Sequence, residues 1–252
     1  MFTKQFTKYS RGFVHTLQCG FVTAHPEVKY CIVDFDPEHY NDRLFDSLAI
    51  QLPLALKQSC IKRKAEYLAV RYAAKGILSM AGCKHIPGTA MDRSPVWPVG
   101  WCGSLSHSNN SAIALIASEA IGVMPGVDLE FLRKNEILGV AGLLARDEEL
   151  ALIKHTNIDY ENGLYLLFSI KESLFKSLYP ELGERKAGFK DVRVIGIDTI
   201  SGDVTLELTK TLSLYYVEGF QITGKYIIDT NMIITLVLWI HNSKYKVIFS
   251  DC

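Results

Sequence analysis

Two apolar stripes at helical spacing, one in each half of the chain, constrain its fold more than any other feature. From Ile61 to Leu78 the positions Ile61, Ala65, Leu68, Ala69, Tyr72 and Ile77 follow three- and four-residue steps, which predicts an amphipathic helix with a basic opposite face. Leu164, Leu167, Phe168, Leu174, Phe175 and Leu178 form a second stripe over 164–179, with Pro180 as its stop. The sequence around them is strand-like. Residues 31–36 (CIVDFD) alternate apolar and polar, 111–117 (SAIALIA) read as a buried strand, and 127–131 form another. Residues 82–103 hold three prolines, four glycines, Trp97 and Trp101, the composition of an extended, structured loop. The β-branched segments 191–200, 204–208, 215–223 and 232–240 predict antiparallel strands. A break at 122–126 (GVMPG) divides this α/β (α+β) chain into an N-terminal half, 1–123, and a C-terminal half, 124–252.

A chain of 252 residues can bury one large core or two smaller ones. Lys plus Arg equals Asp plus Glu at 27 each, so there is no global positive field of the kind a nucleic-acid partner requires, and any anion site is local. Six cysteines are scattered without a C-x-x-C pair and the chain opens MFTKQFTKYS, which predicts reduced thiols in a cytoplasmic protein. The longest apolar run, 232–240, is about half the length of a membrane-spanning helix, so an integral membrane protein is not expected.

Three clusters carry candidate chemistry. In GVDLE (126–130) strand geometry sends Asp128 and Glu130 to one face and Val127 and Leu129 to the other. Two carboxylates about 5 Å apart repel by about 3 kcal/mol at an effective dielectric near 20. A hard divalent ion converts that cost into attraction, and magnesium in particular is held by one or two carboxylates plus water and phosphate oxygens. The same pentapeptide also reads as a solvated strand face with two independent charges. In KESLFK (171–176), Glu172 and Lys176 are four apart and form either a surface pair or part of a site. Lys171 occupies the apolar stripe where leucine is preferred, and it either snorkels or reaches a buried anion. In GSLSHS (103–108), hydroxyls, backbone amides and His107 join the basic face Lys62, Arg63, Lys64, Arg71 and Lys75 in a pattern suited to phosphate oxygens. A satisfied loop histidine beside a solvated basic helix is the alternative. Neither G-x-S-x-G nor a P-loop is present.

In order, KRKAEYLAVRYAA (62–74), SPVWPVGWCGSLSHS (94–108), GVDLE (126–130) and FSIKESLFKSLYP (168–180) resemble the Sfp-type phosphopantetheinyl transferases, in the branch exemplified by enterobactin synthetase component D. The resemblance spans roughly 35–238 and implies a pseudo-dimeric fold, two similar halves each with a small antiparallel sheet and a long helix, active as a monomer. It implies Asp128, Glu130 and Glu172 as ligands of Mg2+, or Mn2+, with coenzyme A held between the halves. Arg63, Arg71, Lys75, Ser106 and His107 would contact the nucleotide and its phosphates, Asp128, Lys171 and Lys176 the pyrophosphate side. Glu172, Lys176 and Lys171 would be catalytic. Val70, where relatives have glycine, and Met124-Pro125 ahead of GVDLE depart from the pattern. The implied reaction moves phosphopantetheine from coenzyme A to a serine of an apo carrier protein in siderophore or other nonribosomal peptide assembly. A metal-dependent phosphodiesterase or pyrophosphatase, and a non-catalytic nucleotide- or carrier-binding module, are the competing expectations.

Overall fold

The computed structural model describes residues 1–182 and 187–240; 183–186 and 241–252 of the C-terminal half lie outside the described residues. The first half comprises β1 (Phe2–Tyr9), β2 (Val14–Val22), β3 (His25–Phe35), α1 (Arg43–Ser47), α2 (Ile61–Met80), β4 (Gly88–Thr89), β5 (Pro95–Val96), β6 (Trp101–Ser108) and β7 (Ser111–Ser118). The second comprises β8 (Val123–Phe131), α3 (Ala141–Leu144), α4 (Asp147–Lys154), α5 (Tyr160–Leu182), β9 (Val192–Asp198), β10 (Asp203–Leu208), β11 (Gln221–Ile228) and β12 (Met232–Ile240). Two five-stranded antiparallel sheets result, ordered β1-β2-β3-β7-β6 and β8-β12-β11-β10-β9.

The halves share a path. In each, a strand leads to a long helix, and the last strand after the helix returns to pair with the strand before it: β7 with β3, β12 with β8. Helix α2 packs on one sheet and α5 on the other, each with its own core. A third core lies between the sheets, built from Tyr30, Ile113, Leu115, Val127, Leu129, Ile234 and Leu236 among others. This layering explains the unbroken apolar run of β7. Ala112, Ala114 and Ile116 face α2 while Ile113, Leu115 and Ala117 face the other sheet, so both sides of the pleat are dry.

The helices extend somewhat beyond the predicted stripes. Asp159 caps α5 by accepting from the N–H groups of Glu161 and Asn162. Helix α5 runs past Pro180 to Leu182, because a proline in the last turn forfeits only one hydrogen bond. The chain changes sheet at Gly122, whose φ of +66° is left-handed, and β8 starts at once instead of after a broken 122–126 segment. Pro125 is tolerated there because β8 is an edge strand. The Val127 N–H, two residues on, points away from β12 to Ser104, so the N–H that Pro125 lacks would lie on that same unladdered side. Strand β11 occupies 221–228 rather than 215–223, since a turn closing at Gly219 (φ +82°) interrupts the apolar run.

Gly126 sets how closely α5 approaches β8. A Cβ there would stand 1.9 Å from the Ser173 carbonyl oxygen and 2.8 Å from the Ser177 nitrogen, both backbone atoms of α5. Gly126→Ala is therefore expected to push the helix off the strand and cost about 3 kcal/mol, measured as a lower urea midpoint.

Candidate active site at the seam between the sheets

Strands β6 and β8 are edge strands of their respective sheets and run past one another. Three serines spaced by two residues project from one side of β6 and reach β8. Ser104 Oγ accepts from the Val127 N–H at 2.9 Å. Ser106 Oγ donates to Asp128 Oδ1 at 2.7 Å. Ser108 Oγ donates to Glu130 Oε2 at 3.0 Å and accepts from the Phe131 N–H at 3.1 Å. Hydroxyls thus replace a backbone ladder along this seam and fix the direction of both carboxylates. The GSLSHS cluster, read as suited to phosphate oxygens, lies on strand β6, and the Ser106 hydroxyl is directed to Asp128. The sequence reading counts Ser104 and Ser108 only among the hydroxyls of GSLSHS; their i, i+2, i+4 spacing with Ser106 is the signal of a strand face.

Helix α5 supplies the opposite wall. Its Ser169 and Ser173 hydroxyls meet Thr235 Oγ1 of β12 at 2.9 and 2.7 Å, which seats the helix on the sheet. Glu172 and Lys176 are one turn apart on α5, and Glu172 lies within reach of the Lys176 and Asp128 charges. Lys176 Nζ donates to Asp128 Oδ1 at 2.7 Å, and to Ser106 Oγ and the Val127 carbonyl at 3.1 Å each. Asp128 is 3% exposed, and its Oδ2 is buried with no hydrogen-bond partner. Burial first, then the Asp128 charge, raises the Glu130 carboxyl to about 7. Burial also raises Glu172, against Lys176 and reinforced by Asp128.

The three acids therefore share one field, but among the described residues no three His, Cys, Asp or Glu side chains stand close enough to enclose a metal ion by themselves. An orphaned buried carboxylate oxygen beside two desolvated carboxyls fits a hard divalent cation that completes its shell with water and phosphate oxygens.

Lys171 is elsewhere. It is fully buried on the core side of α5, its ammonium 2.7 Å from Glu149 Oε1 and donating to the Leu144 and Phe189 carbonyls at 3.0 Å each. Glu149 also accepts from the Arg146 and Val194 N–H groups. Burial lowers the Lys171 ammonium below its ordinary range, opposed by Glu149. The expectation of an active-site Lys171 is thus corrected: a residue adjacent to Glu172 on a helix points about 100° away from it, and its anion is a protein carboxylate. Glu149 carries no sequence signal for this pairing.

Along α2, Arg63 donates to His107 Nε2 at 3.2 Å, and Glu66 lies 3.8 Å from His107 Nδ1. This group borders the seam, for His107 feels Lys176 and Asp128. Arg71, buried and stacked on the Tyr67 ring, donates to the Gly88 carbonyl and Thr89 Oγ1, leaving its buried Nε without a partner. Lys75 donates to the Leu48 carbonyl.

Burial, then the Arg63 charge, depresses His107 from 6.5 to about 4. The unfolded chain binds this proton near 6.5 and the native one only near 4, so the associated stability is complete above 6.5 and is lost as pH falls through that window. Between pH 7 and 4.5 the native protein is expected to lose about 2 kcal/mol more than a His107→Gln variant in urea titrations.

Comparison with known proteins bears on this site. Residues 52–117 match the 4'-phosphopantetheinyl transferase N-terminal domain family, and residues 124–231 match the 4'-phosphopantetheinyl transferase superfamily. Enterobactin synthase component D of Salmonella typhi is 33% identical over 147 residues, 58% of this chain and 60% of that protein. The protein of the same name from Escherichia coli (strain K12) is 32% identical over 163 residues, covering 65% of this chain and 75% of the relative. The 4'-phosphopantetheinyl transferase Svp of Streptomyces mobaraensis is 32% identical over 127 residues, 48% of this chain and 50% of that one. The alignment thus spans about 60% of the Salmonella typhi relative's length. Both family regions occur in order, on either side of the β6–β8 seam, and the chain belongs to the 4'-phosphopantetheinyl transferase superfamily.

Proposed function

We propose that this chain transfers 4'-phosphopantetheine from coenzyme A to a serine of an apo carrier protein, releasing adenosine 3',5'-bisphosphate. The names of its relatives favour siderophore or other nonribosomal peptide assembly as the setting. The observation that carries the reading is the meeting of Asp128, Glu130, Glu172 and Lys176 at one seam between two sheets. Residues 1–123 contribute Arg63, Arg71, Ser106 and His107 toward the nucleotide and phosphates. Residues 124–252 contribute the carboxylates and α5.

In the reaction, the carrier serine oxygen forms a bond to the phosphorus nearer pantetheine as the bridging bond to the nucleotide breaks. Such chemistry depends on alignment and on charge stabilisation. Lys176 lies where its ammonium can move from Asp128 to a pyrophosphate oxygen. Glu172, its carboxyl raised by burial, is suited to accept the serine proton. Magnesium or manganese held by Asp128, Glu130 and Glu172 would neutralise charge growing on the diphosphate.

The test is an incubation of the protein with magnesium, coenzyme A and a panel of apo carrier proteins, read by intact mass. A gain of the phosphopantetheine moiety on a carrier is expected. Free phosphopantetheine released without any carrier would instead establish a phosphodiesterase.

A further inference from the structure

Cys19 on β2 and Cys31 on β3 stand directly opposite one another across an antiparallel pair. Both are fully buried in the core beneath α2, and their Sγ atoms are 2.8 Å apart. Residues directly opposite in such a pair have Cα atoms about 4.5 or 5.5 Å apart. A disulfide spans Cα separations of about 4.4–6.8 Å with sulfurs about 2.05 Å apart. Joining these sulfurs therefore requires only a small side-chain adjustment. The other described cysteines are placed differently. Cys102 lies in the core between the sheets with its Sγ on the Ala117 and Val123 carbonyls, Cys60 is exposed and Cys83 is partly exposed.

We propose that Cys19 and Cys31 are a modification site, closing to an intramolecular disulfide when the folded protein meets a peroxide. Burial selects the oxidant: sulfurs with no exposed surface are reached only through a transient local opening, and the small peroxide needs a smaller opening than a bulky disulfide reagent does. The Cys19 sulfur attacks the peroxide O–O bond, giving a sulfenic acid and one water. The Cys31 sulfur then attacks that sulfur, the S–O bond breaks, and the departing hydroxide takes the thiol proton as a second water. Two thiols and one hydrogen peroxide become one disulfide and two waters. The contact with Cys31 holds the Cys19 thiol below its ordinary range, while the same contact and burial push Cys31 well above it, so Cys19 is the attacking sulfur. The bond would tie β2 to β3 directly beneath Gly76 of α2, the helix that bears Arg63 and Arg71.

In the test, accessible thiols of the folded protein are first capped with N-ethylmaleimide, and hydrogen peroxide is then added. Intact mass and a non-reducing peptide map follow. The expected result is a loss of two hydrogens with a linked Cys19–Cys31 peptide, reversed by dithiothreitol and absent from Cys19→Ala and Cys31→Ala. A mass gain of oxygen at either cysteine without linkage, or an unreacted pair under peroxide that fully oxidises Cys60 in uncapped protein, would overturn the proposal. The peptide map of the unmutated protein decides the matter even if a variant fails to fold.

Discussion

Asp128→Asn is expected to lower the rate of carrier modification by about 10³-fold while leaving the protein folded. Asparagine keeps an oxygen for the Ser106 hydroxyl and for Lys176, both of which converge on Asp128 Oδ1. What it removes is the negative charge, and with it the buried, unpartnered Oδ2 carboxylate oxygen. Stability should move by less than about 1 kcal/mol, because loss of the Lys176 pair is offset by relief of repulsion at Glu130 and Glu172. Initial rates by intact mass, with urea unfolding in parallel, separate the two effects. A near-normal rate at saturating magnesium and coenzyme A would remove Asp128 from the reaction and with it the metal site.

Glu149→Gln should act in the opposite way, on stability first. The Lys171 ammonium is fully buried and has two carbonyls besides Glu149 as partners, so removing the carboxylate charge leaves a cation uncompensated in the core. Breaking such a pair from one side costs about 3–5 kcal/mol, a large fraction of the about 5–15 kcal/mol that holds a domain together. The double variant Glu149→Gln with Lys171→Met should lose clearly less than the sum of the single losses, because neither charge then remains. Additive losses, or a single-variant loss below about 1 kcal/mol, would show that the pair is not coupled. The pair joins α4, α5, β9 and the segment before β9.

Much of this was legible because it depends on local periodicity. The two stripes predicted α2 and α5, and the alternation in GVDLE placed Asp128 and Glu130 on one face with Val127 and Leu129 in the core opposite. Order along the chain likewise pointed to the family. Lys171 was visible as an anomaly, a charge in an apolar stripe, but its partner was not. Whether a buried cation meets a phosphate or a carboxylate depends on what packs against that face of the helix, and Glu149 arrives from α4 through a loop that no periodicity encodes.

The serine ladder shows the same division. Sequence alone determined which residues have strand or helix periods, and therefore which side chains travel together on a face. That β6 of one sheet lies along β8 of the other, so that three hydroxyls of β6 meet β8 and two of them hold its carboxylates, was decided only by the tertiary structure, through the packing of the sheets. The physical reason is that faces are set by bond geometry within a few residues. Neighbours across a seam are set by the burial of whole sheets against each other, a sum over many weak contacts that no single segment carries.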